Sequence, residues 1–530
     1  MRIAIVGTGV SGISALWLLN EFSEHEVNIY EKDGRPGGHT NTVEFQREGK
    51  ESCQVDTGFI VCNPPTYPNF LRFLQHLKVP TLKTEMTFSV SRDRGAFEWA
   101  GEGLGGIFCQ LTNLFNPRLY RMLFDIIRFN LFATDLLEQE GNKQGISIGQ
   151  YLEREGYGEG FRDDYLMPMT GAIWSTPADQ AALDFPASTL IRFFHNHHLL
   201  QITGKPKWLT VEGGSKKYLD AVLDKLPKEN LHLNTEITAI ESHDDGVTLV
   251  EASGQRHIYD HVILATHSDT TLRLLKNGGG LTKEEEQALG PWKWSKNEAI
   301  LHWDERLMPV RRKAYSAWNY LTMTEGEEQK TRTSESEVET VALTYDMNIL
   351  QHLPESKHGL VLVTLNPPFP VDESKVVARF NYEHPMMTST SVSAQTYLPL
   401  IQNKRGISFV GAWTKYGFHE DGFASSMRLV TQAPFNVRPP FPLKPATRNL
   451  PRAGPVLLLA RTLVTLLEAG RQRAEPLWYW VNWIVVVGLV WLEQVCAATG
   501  LQGARKEVVR LRGDWVNSGE GRSRSDRKTR

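Results

Sequence analysis

The sequence predicts an α/β chain whose sheet begins at its first residues, and three observations carry that prediction. Ile3 to Val6 form an apolar strand that runs straight into Gly7-Thr8-Gly9-Val10-Ser11-Gly12; a helical pattern, Ile13 to Phe22, follows; and Glu31 closes a second strand, Val27 to Tyr30. A Gly-x-Gly-x-x-Gly turn says little alone. After a strand, before a helix and with an acid about 20 residues on, it is the fingerprint of a Rossmann-like dinucleotide-binding unit. Gly7 permits the tight turn, Gly9 lets the backbone approach a pyrophosphate, and Gly12 allows close packing of helix on strand. Val10 and Ser11 open the helix whose N-terminus faces the phosphates. Glu31 is placed to accept hydrogen bonds from the adenosine ribose hydroxyls.

The elements that follow fit the same sheet. Lys32-Asp33-Gly34-Arg35-Pro36-Gly37-Gly38-His39 sets basic side chains and a second glycine pair just beyond the ribose acid. Gly37 and Gly38 let another loop come close to the dinucleotide, and Arg35 can neutralise pyrophosphate charge. Leu231 to Ile240 alternates like a strand, and Asp260 to Thr266 follows after a polar, hairpin-like stretch. Ile407 to Trp413 reads as a last buried strand. Gly417 to Ser426 then reads as a Gly-rich turn into a helix.

This pattern resembles the flavin-containing amine oxidase and phytoene desaturase superfamily, in which the ribose acid is followed by a short R-x-G-G-R block. The resemblance implies FAD as cofactor rather than NAD, with a glutathione-reductase-type binding domain. His39 stands where that block ends in arginine. A closer resemblance rests on Val55 to Val61, which contains Gly58, on Pro65 to Phe70, on Gly411-Ala412-Trp413 and on Gly417-Phe418-His419-Glu420-Asp421-Gly422. Further matching pieces are Met169 to Ser175, Val211 to Ser215, Leu301 to Asp304 and Trp318 to Tyr320. These resemble FAD-binding proteins associated with cyclopropane-fatty-acid synthases and, more distantly, polyunsaturated fatty acid isomerases and flavin-dependent lipid desaturases. The resemblance covers about residues 1 to 437. It implies an adenine-contacting backbone near Ile237, and a flavin whose pyrimidine end faces the helix N-terminus at Gly411, Asp421 and Gly422.

Motif order implies an interleaved architecture. The expected FAD-binding domain takes residues 1–90, 205–275 and 400–437; an α+β substrate domain takes 91–204 and 276–399; and 438–530 form a linker, an apolar helical tail and a basic, disordered end. Within the first insertion Asn116 caps a helix with Pro117 at its first position, and Leu119, Met122, Leu123, Ile126 and Ile127 form its apolar stripe. Arg118, Arg121 and Arg128 lie on or beside the opposite face. Such a helix suits a membrane surface or a lipid-tail entrance, and equally an ordinary core-facing helix with a solvated face. Glu325 to Glu339 reads as a charged surface loop.

The last residues pose a separate question. Residues 435 to 455 are Pro-rich. Beyond them, Leu477 to Leu492 lacks formal charge and carries Trp478, Tyr479, Trp480 and Trp483 at one end and Trp491 at the other. A helix of that length reaches about 24 Å, short of a hydrocarbon core of about 30 Å, so spanning is marginal and an interfacial position is favoured. Val456 to Leu467 is apolar but broken by Arg461, which would let the two segments form a shallow hairpin. The expectation is a membrane-associated protein with its catalytic domain facing the cytosol. A net charge of −3 gives no sign of nucleic-acid binding, and the four cysteines have neither paired nor metal-ligand spacing.

For chemistry, the turn beside the flavin offers Tyr416 to orient substrate or act as an acid, and His419 or Glu420 to move a proton. Amine oxidases commonly use a lysine near the flavin; by order alone Lys293 and Lys296 are the candidates. Trp174, Trp413 and Tyr416 are available for an aromatic cage. The expected activity is FAD-dependent oxidation of a hydrophobic substrate, a fatty acyl chain or lipid, by desaturation or double-bond isomerisation. The alternatives are amine oxidation releasing hydrogen peroxide, and a flavin-binding scaffold that partners a lipid-modifying enzyme.

Overall fold

A computed structural model of the chain describes residues 1–140, 145–174, 183–201, 206–324, 338–450, 454–499 and 501–520, with some side chains in its helices and strands left aside. The strand Arg2–Val6 and helix Val10–Phe22 form as predicted. Ile3, Ala4 and Ile5 are fully buried because their strand is the centre of a parallel sheet. It is flanked by Glu26–Tyr30 and Leu231–His232 on one side and by His261–Leu264 and Ile407–Phe409 on the other. Trp17, from the first helix, is buried among Phe73, Phe423 and Phe441.

The segment expected as one strand over 231–240 is two. Leu231–His232 ends the parallel sheet, the chain turns through Asn234 at φ 52°, and Ile237–His243 opens an antiparallel sheet with Gly246–Glu251 and Arg256–Tyr259. Asparagine tolerates that left-handed conformation. The turn is tied to Glu31, since the Thr235 amide donates to the Glu31 carbonyl at 2.8 Å.

A seven-stranded sheet forms the second layer, in the order Val376–Pro385, Trp294–His302, Leu362–Leu365, Val338–Asp346, Trp318–Thr324, Phe88–Arg92, Phe97–Ala100. Phe88–Arg92 therefore crosses the boundary expected at residue 90. Its parallel pairing with Trp318–Thr324, and the Ser89 hydroxyl bonded to Asn319 Oδ1 at 2.9 Å, draw it into this sheet. Of the expected surface loop, residues 325–337 lie outside the described residues; Val338 begins a strand.

The helix Pro117–Phe132 has the predicted cap, with the Asn116 side chain accepting from the amides of Arg118 (2.9 Å) and Leu119 (3.3 Å). Its arginines correct the expectation of a solvated or membrane-facing basic face. Arg118 is 8% exposed and bonds Asp164 at 2.7 Å. Arg121 bonds Asp125 at 2.8 Å and Glu468 of the tail at 2.9 Å, while Arg128 lies 3.6 Å from the same Glu468. These cations join protein to protein.

The Pro-rich stretch is pinned rather than free. Lys444 and Asn69 exchange two hydrogen bonds of 2.7 Å, and Arg448 Nη1 donates to the His195 carbonyl at 2.8 Å. Beyond it, Pro455–Ala498 is a single helix of 44 residues, not a hairpin of two apolar segments, and Arg461 within it pairs with Asp135 at 2.7 Å. Gln502–Glu520 folds back on it, with Arg512 2.8 Å from Glu493, so residues 514–520 of the basic end lie in a helix where disorder was expected. Residues 521–530 lie outside the described residues. Among the described residues no helix is long and apolar enough to cross a membrane.

Glu468→Lys is expected to weaken the docking of this tail by about 2 kcal/mol, because two partly buried arginines lose their acid and face a like charge. Hydrogen exchange over 455–498 should accelerate while the parallel sheet keeps its protection. Unchanged exchange in the tail would show that Glu468 does not hold it.

Candidate FAD and active site

The expected dinucleotide residues converge at the C-terminal ends of the parallel strands. Gly7 has φ +103°, and a Cβ there would lie 2.9 Å from the Ala265 carbonyl oxygen; at Gly12 a Cβ would lie 1.9 Å from the Gly7 carbonyl oxygen. These two glycines are required by the fold itself. Gly9 is different. Its φ of −61° and ψ of 176° suit any residue, and a Cβ there would meet nothing within 4 Å. The first turn of the helix presents backbone N–H groups that have no intrahelical partner, so the space at Gly9 is an anion cradle.

The second glycine pair closes the other side of this cradle. A Cβ on Gly38 would stand 3.3 Å from Gly9 Cα, and Arg35 braces the loop by donating to the carbonyls of Gly38 (3.0 Å) and Thr40 (3.3 Å). Glu31 accepts from the amide (3.1 Å) and hydroxyl (2.5 Å) of Thr8, and that hydroxyl also accepts from the Gly37 amide at 3.0 Å. Thr8 thus links the fingerprint, Glu31 and the second glycine pair. Ile237 is buried two residues beyond Thr235, whose amide bonds the Glu31 carbonyl, and Lys32 is exposed. At Gly58 a Cβ would lie 2.3 Å from the His39 carbonyl oxygen, which accepts from the Phe59 amide at 2.9 Å.

Residues some 400 positions later complete the site. Helix His419–Val430 packs on the start of Val10–Phe22, where a Cβ on Gly422 would lie 2.7 Å from Ser11 Oγ, and the Ser426 hydroxyl donates to the Ser11 carbonyl at 2.7 Å. The Gly411 amide donates to Ser425 Oγ at 3.1 Å.

The candidate catalytic turn is differently occupied than expected. Glu420 is 3% exposed, and its carboxylate accepts from the amides of Asn69 (3.2 Å) and Phe70 (2.9 Å) and from Asn69 Nδ2 (2.5 Å). It thereby caps the helix Pro68–His76, and burial pushes its pKa up to about 7. Asp421 accepts from the amides of Tyr416 and Phe418, each at 3.2 Å. His419 stacks on Phe59 at 3.8 Å and lies 3.2 Å from the Thr40 hydroxyl. Tyr416 packs edge-on to Phe193 at 5.8 Å, and burial raises its pKa to about 12. Phe193 in turn stacks on Phe418 (5.0 Å) and His197 (3.8 Å), giving this side of the turn an aromatic wall. Trp413 is buried, its indole N–H bonded to the Thr266 carbonyl at 3.2 Å. The Trp174 side chain and Ser175 lie outside the described residues. Lys293 and Lys296 point to solvent, the latter with its side chain 84% exposed and 3.9 Å from Glu383.

Other site residues come from strand Val376–Pro385. Tyr382 bonds Asn41 (2.9 Å) and Thr57 (2.8 Å) and stacks on His39 at 4.9 Å, while the His384 ring lies 5.1 Å from that of His39. Sequence reading missed Tyr382 and His384; strand alternation, which puts them on one face, is a signal that could have found them. His39 Nε2 is buried without a hydrogen-bond partner among the described residues, next to the cradle. A buried donor or acceptor left in that state fits a bound group that completes it. A surface cavity of about 360 Å³ lined by Arg47, Trp303, Arg312 and Lys375 shares no residue with this site.

Burial lowers the pKa of His419 to about 3. Folding therefore favours its neutral form, and the resulting stability is present above pH 6.5 and lost as pH falls from there towards 3. In His419→Phe, the slope of unfolding free energy against pH between 6.5 and 4 should be smaller by about 1.4 kcal/mol per pH unit, the effect of one proton. Urea unfolding at pH 5 and 6.5 measures it; equal slopes would mean that His419 charges freely in the fold.

A parallel sheet, a Gly-rich turn at a helix N-terminus and an acid at the end of the next strand have the geometry of a dinucleotide-binding protein. The family model described as flavin containing amine oxidoreductase matches residues 10–432, and the chain belongs to that family. No curated protein matches the chain in sequence. Among solved structures it is similar to the CLA-producing fatty acid isomerase from P. acnes, with TM-score 0.53 and 13% identity over 81% of this chain and 98% of that one. It is likewise similar to cyclohexylamine oxidase from Brevibacterium oxydans IH-35A (TM-score 0.58, 12% identity, 81% and 98%). Reduced UDP-galactopyranose mutase shares the fold at TM-score 0.53 and 16% identity, over 81% and 93%. FAD, when bound, supplies the two-electron redox chemistry.

Proposed function

We propose that the protein is an FAD-dependent oxidoreductase acting on a hydrophobic substrate, a fatty acyl chain or its lipid, by desaturation or double-bond isomerisation. The carrying observation is the aromatic wall beside the catalytic turn: Phe193, Phe418 and Tyr416, with His197 held neutral by burial, its pKa lowered to about 3, and a cation, Lys415, 5.3 Å from the Tyr416 ring. Glu420 is taken up by amides of Asn69 and Phe70, and Asp421 by backbone amides and by the Lys415 ammonium at 3.9 Å, so both acids already have partners within the protein. An apolar chain binds such a wall by burial of area alone. The fold likeness to a fatty acid isomerase supports the same reading. Tyr416 is the group we assign to orienting substrate, with His419 supporting the Thr40 loop.

The same proposal extends to a membrane surface on the cytosolic side as the working location. Its support is the row of exposed apolar side chains on the tail helix, among them Leu463, Leu466, Leu467, Ile484 and Trp491. The test is product analysis. Purified holoprotein incubated with unsaturated fatty acids or phospholipid vesicles should yield a shifted or additional double bond by mass spectrometry. Hydrogen peroxide released from primary amines, with lipids unchanged, would instead favour amine oxidation.

A further inference from the structure

The tautomer of His384 is set by a chain of hydrogen bonds that starts at a backbone amide. The Glu298 N–H, which can only donate, bonds Asn366 Oδ1 at 3.0 Å. That fixes the Asn366 amide, whose Nδ2 donates to Asn297 Oδ1 at 2.6 Å. Asn297 Nδ2 then donates to the Ser295 carbonyl at 3.0 Å, an oxygen that can only accept, and to His384 Nδ1 at 3.0 Å. Both ends of Asn297 are thus independently oriented. Asn366 sits at φ 49°, just after strand Leu362–Leu365, a conformation asparagine tolerates. His384 Nδ1 is therefore an acceptor, and the ring proton resides on Nε2.

The one hydrogen bond of the ring among the described residues is at Nδ1, and His384 is partly exposed. The ring lies 5.1 Å from that of His39, whose own Nε2 is buried and unpartnered, and His39 follows Gly38, which abuts Gly9 of the cradle. The groups around His384 leave it uncharged: His39 lies edge-on to it at 5.1 Å, Asn297 faces it, His267 acts on it as a like charge, and the neighbouring Glu383 is turned towards that His267 at 3.3 Å and Lys296 at 3.9 Å.

We propose that His384 is a cofactor-contacting residue whose Nε2–H, held in one tautomer by Asn297 and Asn366, donates to an acceptor atom of bound FAD beside His39. Asn297 and Asn366 are positioning residues. The proposal rests on the assignment of FAD to this site. Burial lowers the His384 pKa to about 4, which keeps the ring neutral in the working range.

The test uses the full chain with FAD. In protein labelled with ¹⁵N-histidine, the resonances missing from His384→Gln identify His384, which should be neutral and Nε2-protonated at pH 7. A Nδ1-protonated or charged ring would overturn the proposal. FAD affinity gives the second arm. His384→Leu should bind FAD about tenfold more weakly and shift the flavin absorbance bands, whereas His384→Gln, whose side-chain amide nitrogen can take the place of Nε2, should stay within about twofold of wild type. Unaltered affinity and spectrum in His384→Leu would overturn it. If that variant does not fold, His384→Phe carries the test: it keeps an aromatic ring, removes the Nε2–H donor and should weaken FAD binding about tenfold, and wild-type affinity would overturn the proposal. Wild-type binding of FAD in the same titration separates failure of this proposal from failure of the cofactor assignment.

Discussion

Gly9→Ala is expected to lower FAD affinity on the order of 100-fold or more while leaving the apoprotein within about 1 kcal/mol of wild-type stability. Its backbone conformation suits alanine, and the added methyl meets no protein atom within 4 Å, so the apo fold has no reason to object. The methyl instead fills space over the helix N-terminus, where a pyrophosphate would gain its hydrogen bonds. Gly12→Ala is the contrasting control. Its Cβ would lie 1.9 Å from the Gly7 carbonyl oxygen, so strand and helix must separate and the apoprotein itself should be destabilised. Flavin fluorescence titration and thermal melts of both apoproteins check the pair. Wild-type affinity in Gly9→Ala would show that no phosphate occupies the cradle.

Glu420→Ala is expected to destabilise the fold by about 3 kcal/mol or more. Three buried donors, the amides of Asn69 and Phe70 and the Asn69 side chain, would lose their acceptor together. The same Asn69 holds Lys444, so the damage should reach the Pro-rich stretch and speed its proteolysis. Chemical unfolding of the variant measures the first effect. A variant as stable as wild type but inactive would return Glu420 to the chemistry and contradict its capping role.

These two residues show what the sequence could and could not convey. The fingerprint and Glu31 were legible because strand, turn, helix and acid are neighbours in the chain, and their local geometry depends on few distant atoms. Glu420 was legible as a residue of the site but not in its role, since the helix it caps lies some 350 positions away. The arginines of Pro117–Phe132 read as a solvated face because, apart from Asp125 on the same helix, their partners Asp163, Asp164 and Glu468 come from other elements. Val456 to Leu467 and Leu477 to Leu492 read as separate apolar segments because hydropathy does not register that a helix continues through charged residues. His384 left only a period-two trace, and its tautomer is written in Asn297 and Asn366, which no local pattern connects to it.

The most direct test of the account is the anaerobic absorbance of the reconstituted protein near 450 nm before and after addition of unsaturated lipids and, separately, amines. A bound-flavin spectrum is expected, with lipid either bleaching it or being converted to an isomer without net bleaching, and amines leaving it unchanged. Bleaching by amines alone would contradict the proposed substrate class, and the lack of any flavin spectrum after reconstitution would contradict the assignment of the site itself.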